Sequence, residues 1–226
     1  MKLLLSLIVC LSIFANAQNI RPVTELPDIS VVGKFLTTVQ DSQTSVFDVD
    51  EVEFFFQHYL APGTKATVVA AISQDDSTSE YAIELEEAYV TFSDLFDTLM
   101  PNYSLVDGVG FTVGKKLLPI GRINALHSEQ WTFVDTPLVN QQFFGTEHNL
   151  SGQGGLVTYL LPLPFFSQLE AGYWSTTEED ESTTHEEIEY STALTNVRLW
   201  NNFVLSNSQD LDLGVSYVLG NADASS

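Results

Sequence analysis

Apolar and polar side chains alternate with a period of two through most of this chain. In residues 51–60 (EVEFFFQHYL), Val52, Phe54, Phe56 and Leu60 fall on one face while Glu51, Glu53, Gln57 and Tyr59 fall on the other. That is the signature of a strand, whose successive side chains point to opposite sides of a sheet. Residues 210–219 (DLDLGVSYVL) repeat it, with Leu211, Leu213, Val215, Tyr217 and Leu219 set against Asp210, Asp212, Gly214 and Ser216. The pattern predicts nine strands, near residues 29–39, 51–60, 65–73, 80–92, 108–115, 154–161, 167–174, 191–205 and 210–219. Within 80–92 the phase slips at Glu86-Glu87, which predicts a bulge. No segment carries an amphipathic helical stripe, so the expected class is all-β and antiparallel.

Two architectures produce alternating strands, and they differ in which face is dry. A soluble sandwich buries its apolar faces against each other. A transmembrane barrel turns the apolar face to lipid, keeps a polar lumen, and needs tilted strands of about 9 to 11 residues. The strand lengths and the recurrence of Glu, Asp, Gln, Asn and Arg on the opposite face favour the barrel. The joins agree: those at 40–48, 74–79, 116–153 and 176–189 are mostly long and polar, while those at 61–64, 161–166 and 206–209 are short. Barrels of the outer membrane show this asymmetry between outward loops and periplasmic turns. Residues 93–103 are longer than a tight turn should be.

Composition narrows the class. The chain of 226 residues carries a formal charge of -22, with 44% hydrophobic and 12% aromatic residues. It is too apolar for an acidic disordered tail. Eight Lys and Arg residues in all argue against a nucleic-acid partner, because binding phosphates requires clustered basic groups. Lys2, the apolar run 3–14 and the small-x-small triplet Ala15-Asn16-Ala17 predict a signal peptide over 1–17. A short periplasmic segment over 18–28 and a barrel portion over 29–226 follow. Cys10 lies inside the apolar run, so the mature chain is expected to lack a thiol. The predicted location is the outer membrane of a Gram-negative bacterium.

The join at 116–153 is the third outward one, about 38 residues long, and exceeds what a passive connector needs. Gly121-Arg122, Asn124, His127, Trp131, Phe133, Asp135, Pro137-Leu138 and Gly145 resemble the "GR-x-N-x-x-H … W-x-F-x-D-x-P-L … G" segment of a family of Gram-negative outer-membrane porin-like barrels. Glu86-Glu87-Ala88-Tyr89 and Leu161-Pro162-Leu163-Pro164 are similar to the same pattern, and the resemblance runs over roughly residues 27–175. It implies a channel for passive or facilitated diffusion of small solutes or ions, whose third loop folds inward as a constriction. Some relatives bear a name linking them to TonB-dependent receptors; a plug domain is expected in those, and only about ten residues separate Gln18 from the first predicted strand.

Within that loop Arg122, Glu129, Asp135 and Glu147 can set opposing charges across a constriction, beside His127 and Trp131. The alternative is that these groups tie the loop to the wall, with Trp131, Phe133, Phe143 and Phe144 packing it. Lys34, Glu51, Glu53, Gln57, Glu170 and Arg198 are the candidates for lumen-facing charge and polarity. The spacing of His127, His148, Asp135 and Glu147 matches no compact metal motif, so neither a metal site nor a cofactor is expected. Weak divalent binding at the acidic run 178–189, bridging to lipopolysaccharide phosphates, is the exception. No Gly-x-Ser-x-Gly elbow or paired-carboxylate signature is present, and the chain is expected not to be an enzyme. A receptor or barrel-anchored enzyme, and a secreted soluble β-sandwich binding protein, are the competing classes. A pore predicts charges dispersed along the lumen, whereas an enzyme predicts one tight cluster. The expected partners are the lipid bilayer, lipopolysaccharide, small solutes, the barrel assembly machinery and a second copy of the chain. Because single-chain bacterial barrels close with an even number of strands, nine strands suggest the N-terminal portion of a larger barrel.

Overall fold

The computed structural model of the chain describes residues 26–38, 46–74, 81–100, 107–131, 133, 137–140, 149–176, 189–190 and 193–223. The predicted signal peptide and most of the 40–48, 74–79 and 176–189 joins, including the acidic run, lie outside these residues. The strands are β1 (Asp28–Thr38), β2 (Val46–Ala61), β3 (Thr64–Gln74), β4 (Tyr81–Phe92), β5 (Val109–Leu117), β6 (Ser151–Leu160), β7 (Phe166–Ser175), β8 (Glu189–Tyr190), β9 (Leu194–Ser206), β10 (Gln209–Leu219) and β11 (Ala222–Asp223). Nine of them form one antiparallel sheet in the order β1-β2-β3-β4-β5-β6-β7-β9-β10, and the two-residue β8 and β11 pair separately. Each long strand pairs with the next long strand in the chain, so the sheet is a meander. It is open: β1 and β10 are its edges, and they do not pair with each other.

All nine predicted strands are present. The bulge falls where the phase slips, because Val69 pairs with Glu87 and Ala70 with Leu85, leaving Glu86 as the extra residue. β2 begins at Val46, ahead of the alternation that marks it. The turn between β2 and β3 is Pro62-Gly63, with Gly63 at φ 73°, a conformation that suits glycine. The overlong 93–103 join contains a helix that the hydrophobic pattern did not predict, α1 (Leu95–Leu99). Five residues are too few to show a stripe; its one local signal is Asp94, whose side chain caps the backbone N–H of Asp97 at 3.1 Å.

The register separates two faces. On one lie Ile29, Val31, Phe56, Val68, Ile83, Leu85, Val113, Val157, Leu169, Val197, Leu199, Leu213 and Val215, all exposed; Ile83 keeps 77% and Val215 74% of its surface in contact with the surroundings. On the other lie Glu53, Thr67, Glu87, Thr112, Glu170 and Asn196, all buried. Cross-strand pairs hold this second face together: Glu53 opposite Ala71, Thr91 opposite Thr112, Thr158 opposite Glu170, Glu170 opposite Arg198. The sheet is therefore inverted relative to a soluble protein, with its polar face covered and its apolar face open.

What covers the polar face is the described part of the connection between β5 and β6, chiefly residues 118–131. Leu118 and Leu150, at the two ends of that connection, join Leu156, Trp174 and Leu194 in a small apolar core, with Ile120 and Val218 packed against it. Burial of each such leucine contributes about 1.5–3 kcal/mol. Glycines make room for the indole of Trp174: a Cβ on Gly172 would lie 2.3 Å from its Nε1, and one on Gly152 would lie 3.0 Å from its Cβ.

Candidate functional site

Residues 118–131 cross the polar face from one side of the sheet to the other. Near β10, the Gly121 N–H donates to Ser216 Oγ at 2.9 Å and Arg122 reaches Asp212 at 3.2 Å. In the middle, Asn196 donates to Pro119 O at 3.3 Å and accepts from Trp174 Nε1 at 2.7 Å. Asn124, almost wholly buried, donates to Leu118 O and Leu150 O at 2.8 and 2.9 Å and accepts from Leu150 N–H at 2.7 Å. Beyond it, Ser128 donates to Glu51 at 3.1 Å on β2. Two short 3-10 turns, Ile123–Ala125 and Ser128–Gln130, give the segment its path.

The turn between them presents His127 to a group of carboxylates. Its Nε2 lies 3.2 Å from Glu87 Oε2, and its Nδ1 lies 3.2 Å from Glu86 Oε2 and 3.7 Å from Glu53 Oε2. The bulge in β4 explains how Glu86 and Glu87, adjacent in sequence, both reach one imidazole. Glu87 is fixed from below by Leu117 N–H at 2.9 Å and by Lys116 at 3.2 Å, and Lys116 also sits over the ring of Tyr89. The Phe55 ring meets the imidazole edge-on at 5.5 Å. Burial works against a charge on His127, but hydrogen bonding to Glu86 and Glu87, with the fields of Glu87 and Glu53, outweighs it and pushes its pKa up to about 10. His127 is thus a cation at neutral pH, clasped by acids of β2 and β4.

No family model matches the chain. No solved structure matches it either. It is 35% identical over 125 residues to an uncharacterized protein of Aquifex aeolicus (strain VF5), a match that covers 55% of this chain and 23% of that protein. The chain therefore spans less than a quarter of the length of that relative.

Of the loop residues singled out in the sequence, His127 and Glu129 join the carboxylate cluster, whereas Arg122 lies at the β10 end, largely exposed. Asp135 and Glu147 lie outside the described residues, as do His148, Phe143 and Phe144. Trp131 donates to Leu126 O at 3.2 Å and stacks at a tilt on Phe133, 5.7 Å away; both act within the loop. The residues assigned to the lumen share the polar face. Glu51 and Glu53 face His127 and Ser128, Glu170 pairs with Arg198 at 3.5 Å and accepts from Gln168, and Gln57 accepts from Lys65 at 3.5 Å. Charge is thus both dispersed, at Glu170–Arg198 and Arg122–Asp212, and concentrated around His127. The sequence reading missed Asn124, Asn196 and Ser128 as anchors, and took Glu86-Glu87 as a bulge without seeing the site that the bulge builds.

Proposed function

We propose that the chain is part of a porin-like transmembrane β-barrel of a Gram-negative outer membrane, a channel through which small solutes or ions diffuse. Residues 118–131 then act as the constriction inside its lumen. The observation that carries this reading is the inverted sheet: a continuous apolar face left open on strands of 9 to 16 residues, and a polar face covered by a loop of the chain itself. Strands of this length are enough to cross the hydrocarbon layer when tilted. A soluble β-sandwich would turn the same apolar side chains against a second sheet; among the described residues no second sheet lies there. The polar wall that a solute would pass is zwitterionic, with Glu170–Arg198 and Arg122–Asp212 as separated pairs. The inward loop restricts the path. A receptor or an enzyme on the same scaffold draws no specific support from these residues.

The test is single-channel recording in planar bilayers of the complete gene product, refolded from detergent. Discrete conductance steps that rise when residues 122–131 are replaced by a short Gly-Ser linker support a pore with this constriction. A product that stays monodisperse without detergent and conducts nothing refutes it.

A further inference from the structure

We propose that His127, Glu53 and Glu129 form a binding site for a divalent transition metal of the zinc type, lodged between loop and sheet. One ligand atom from each lies within 4.8 Å of the others. Two ligands of a tetrahedral zinc stand about 3.4 Å apart at normal bond lengths, a contraction that χ rotations of the two glutamates can supply.

Three observations point to a metal rather than to a structural ion cluster alone. First, Glu53 has a side chain 3% exposed and an Oε2 that forms no hydrogen bond, and the Oε2 of Glu129 is buried in the same condition. Buried carboxylate oxygens ordinarily find donors; these converge on one place. Second, the imidazole is prepared as a ligand. Its Nε2 is engaged by Glu87, itself held by Leu117 N–H and Lys116, which leaves Nδ1 directed at Glu53 and Glu86. A carboxylate behind a histidine fixes the ring and raises its basicity in metal sites generally. Third, acidic groups crowd the imidazole: Glu53, Glu86 and Glu87 all lie within 3.7 Å of its nitrogens, and a dication at Nδ1 draws such a group together where a proton alone leaves like groups in contact.

The mixed nitrogen and oxygen set selects the class. Imidazole with carboxylates suits Zn²⁺ and its neighbours, whereas Ca²⁺ and Mg²⁺ take all-oxygen sets. Glu51, Glu53 and Glu86 also bring oxygens within 4.8 Å of one another, and a hard cation would use that set without His127. The site is complete within the described residues and does not depend on how the sheet closes.

The experiment titrates Co²⁺, then Zn²⁺, into EDTA-stripped full chain in detergent. Expected are one equivalent of Co²⁺ with visible ligand-field bands, displaced by Zn²⁺, and at least tenfold weaker binding in His127→Gln and Glu53→Gln. Glu87→Gln should weaken it by about tenfold to a hundredfold through the ring it orients. If a variant fails to fold, zinc-edge absorption on the unaltered protein decides: one imidazole among oxygen neighbours supports the site. The proposal is overturned by absence of Co²⁺ binding, by a zinc-edge spectrum without imidazole, or by binding that His127→Gln leaves unchanged. It is equally overturned if Ca²⁺ binds as tightly as Zn²⁺.

Discussion

Replacing Asn124 by Ala should release the loop from the polar face while leaving the sheet folded. The side chain makes three hydrogen bonds, but they are not equivalent. Leu118 O also accepts from Ile120 N–H at 2.8 Å, and Leu150 O from Leu118 N–H at 2.9 Å, so each carbonyl keeps a partner. The Leu150 N–H, in contrast, loses the acceptor it has in Asn124 Oδ1. An orphaned buried donor costs about 1–3 kcal/mol, and each of the other two bonds contributes about 0.5–1.5 kcal/mol. Water entering the gap recovers part of the sum, which places the loss at roughly 2–4 kcal/mol. The opening that the loss favours is local, because Asn124 bonds only the two ends of the loop. Amide hydrogen exchange of the refolded protein reads it directly: Leu150 should exchange about 30-fold to 700-fold faster in Asn124→Ala, since 1.4 kcal/mol is a factor of ten. Amides at the Pro62-Gly63 end of β3, such as that of Ala66 opposite His58, should not change. Asn124→Asp separates the two contributions, because it keeps the acceptor for Leu150 N–H but sets a carboxylate against two carbonyls. Unaltered exchange at Leu150 in Asn124→Ala would refute the claim that this residue holds the loop.

Other substitutions probe other parts of the argument. Val157→Lys puts a charge on the exposed apolar face near the middle of β6; in a bilayer it should lower unfolding stability by about 2–4 kcal/mol, whereas in a soluble protein it should stay within about 0.5 kcal/mol, and urea titration in lipid vesicles distinguishes the two. Gly154→Ala should prevent native folding, because its Cβ would stand 2.0 Å from Tyr173 O and 2.9 Å from Trp174 Cα; loss of the slow-migrating folded band on unheated gels is the readout. Arg122→Ala should be nearly silent in stability, as its pair with Asp212 is largely exposed, yet in a conducting pore it should shift the cation-to-anion permeability ratio toward cations. Trp174→Phe deletes the donor to Asn196 Oδ1 and should cost about 1–3 kcal/mol in urea unfolding, more than Tyr217→Phe, which removes a hydroxyl from an exposed ring.

Most of the sheet was legible because each long strand keeps one face apolar and the other polar, and a period of two cannot be confused with a helix over ten residues. The same reasoning placed Glu53, Glu170 and Arg198 on a common face. It could not say that this face is the covered one, since alternation is blind to which side meets solvent. The loop was harder. Asn124 acts on carbonyls 6 and 26 residues away, and nothing in its neighbourhood announces those partners. Glu86-Glu87 did carry a signal, two adjacent acids that break the alternation of the strand. A bulge is often built to re-aim side chains, and here it delivers both acids to one histidine. Gly152 and Gly172 make room for Trp174, and Gly154 for the backbone of Tyr173, contacts that no local pattern announces.

The path of residues 118–131 has a consequence for the order in which the molecule assembles. Gly121 bonds a serine 95 residues later, and Ser128 a glutamate 77 residues earlier. The first cannot form until β10 stands in place beside the strands before it, and the second until β2 to β5 stand side by side. Adjacent hairpins close locally and quickly, while these two clasps carry a large entropy of loop closure. The crossing segment is thus the last piece to settle, and its arrival records that the sheet beneath it has the right curvature from β2 to β10.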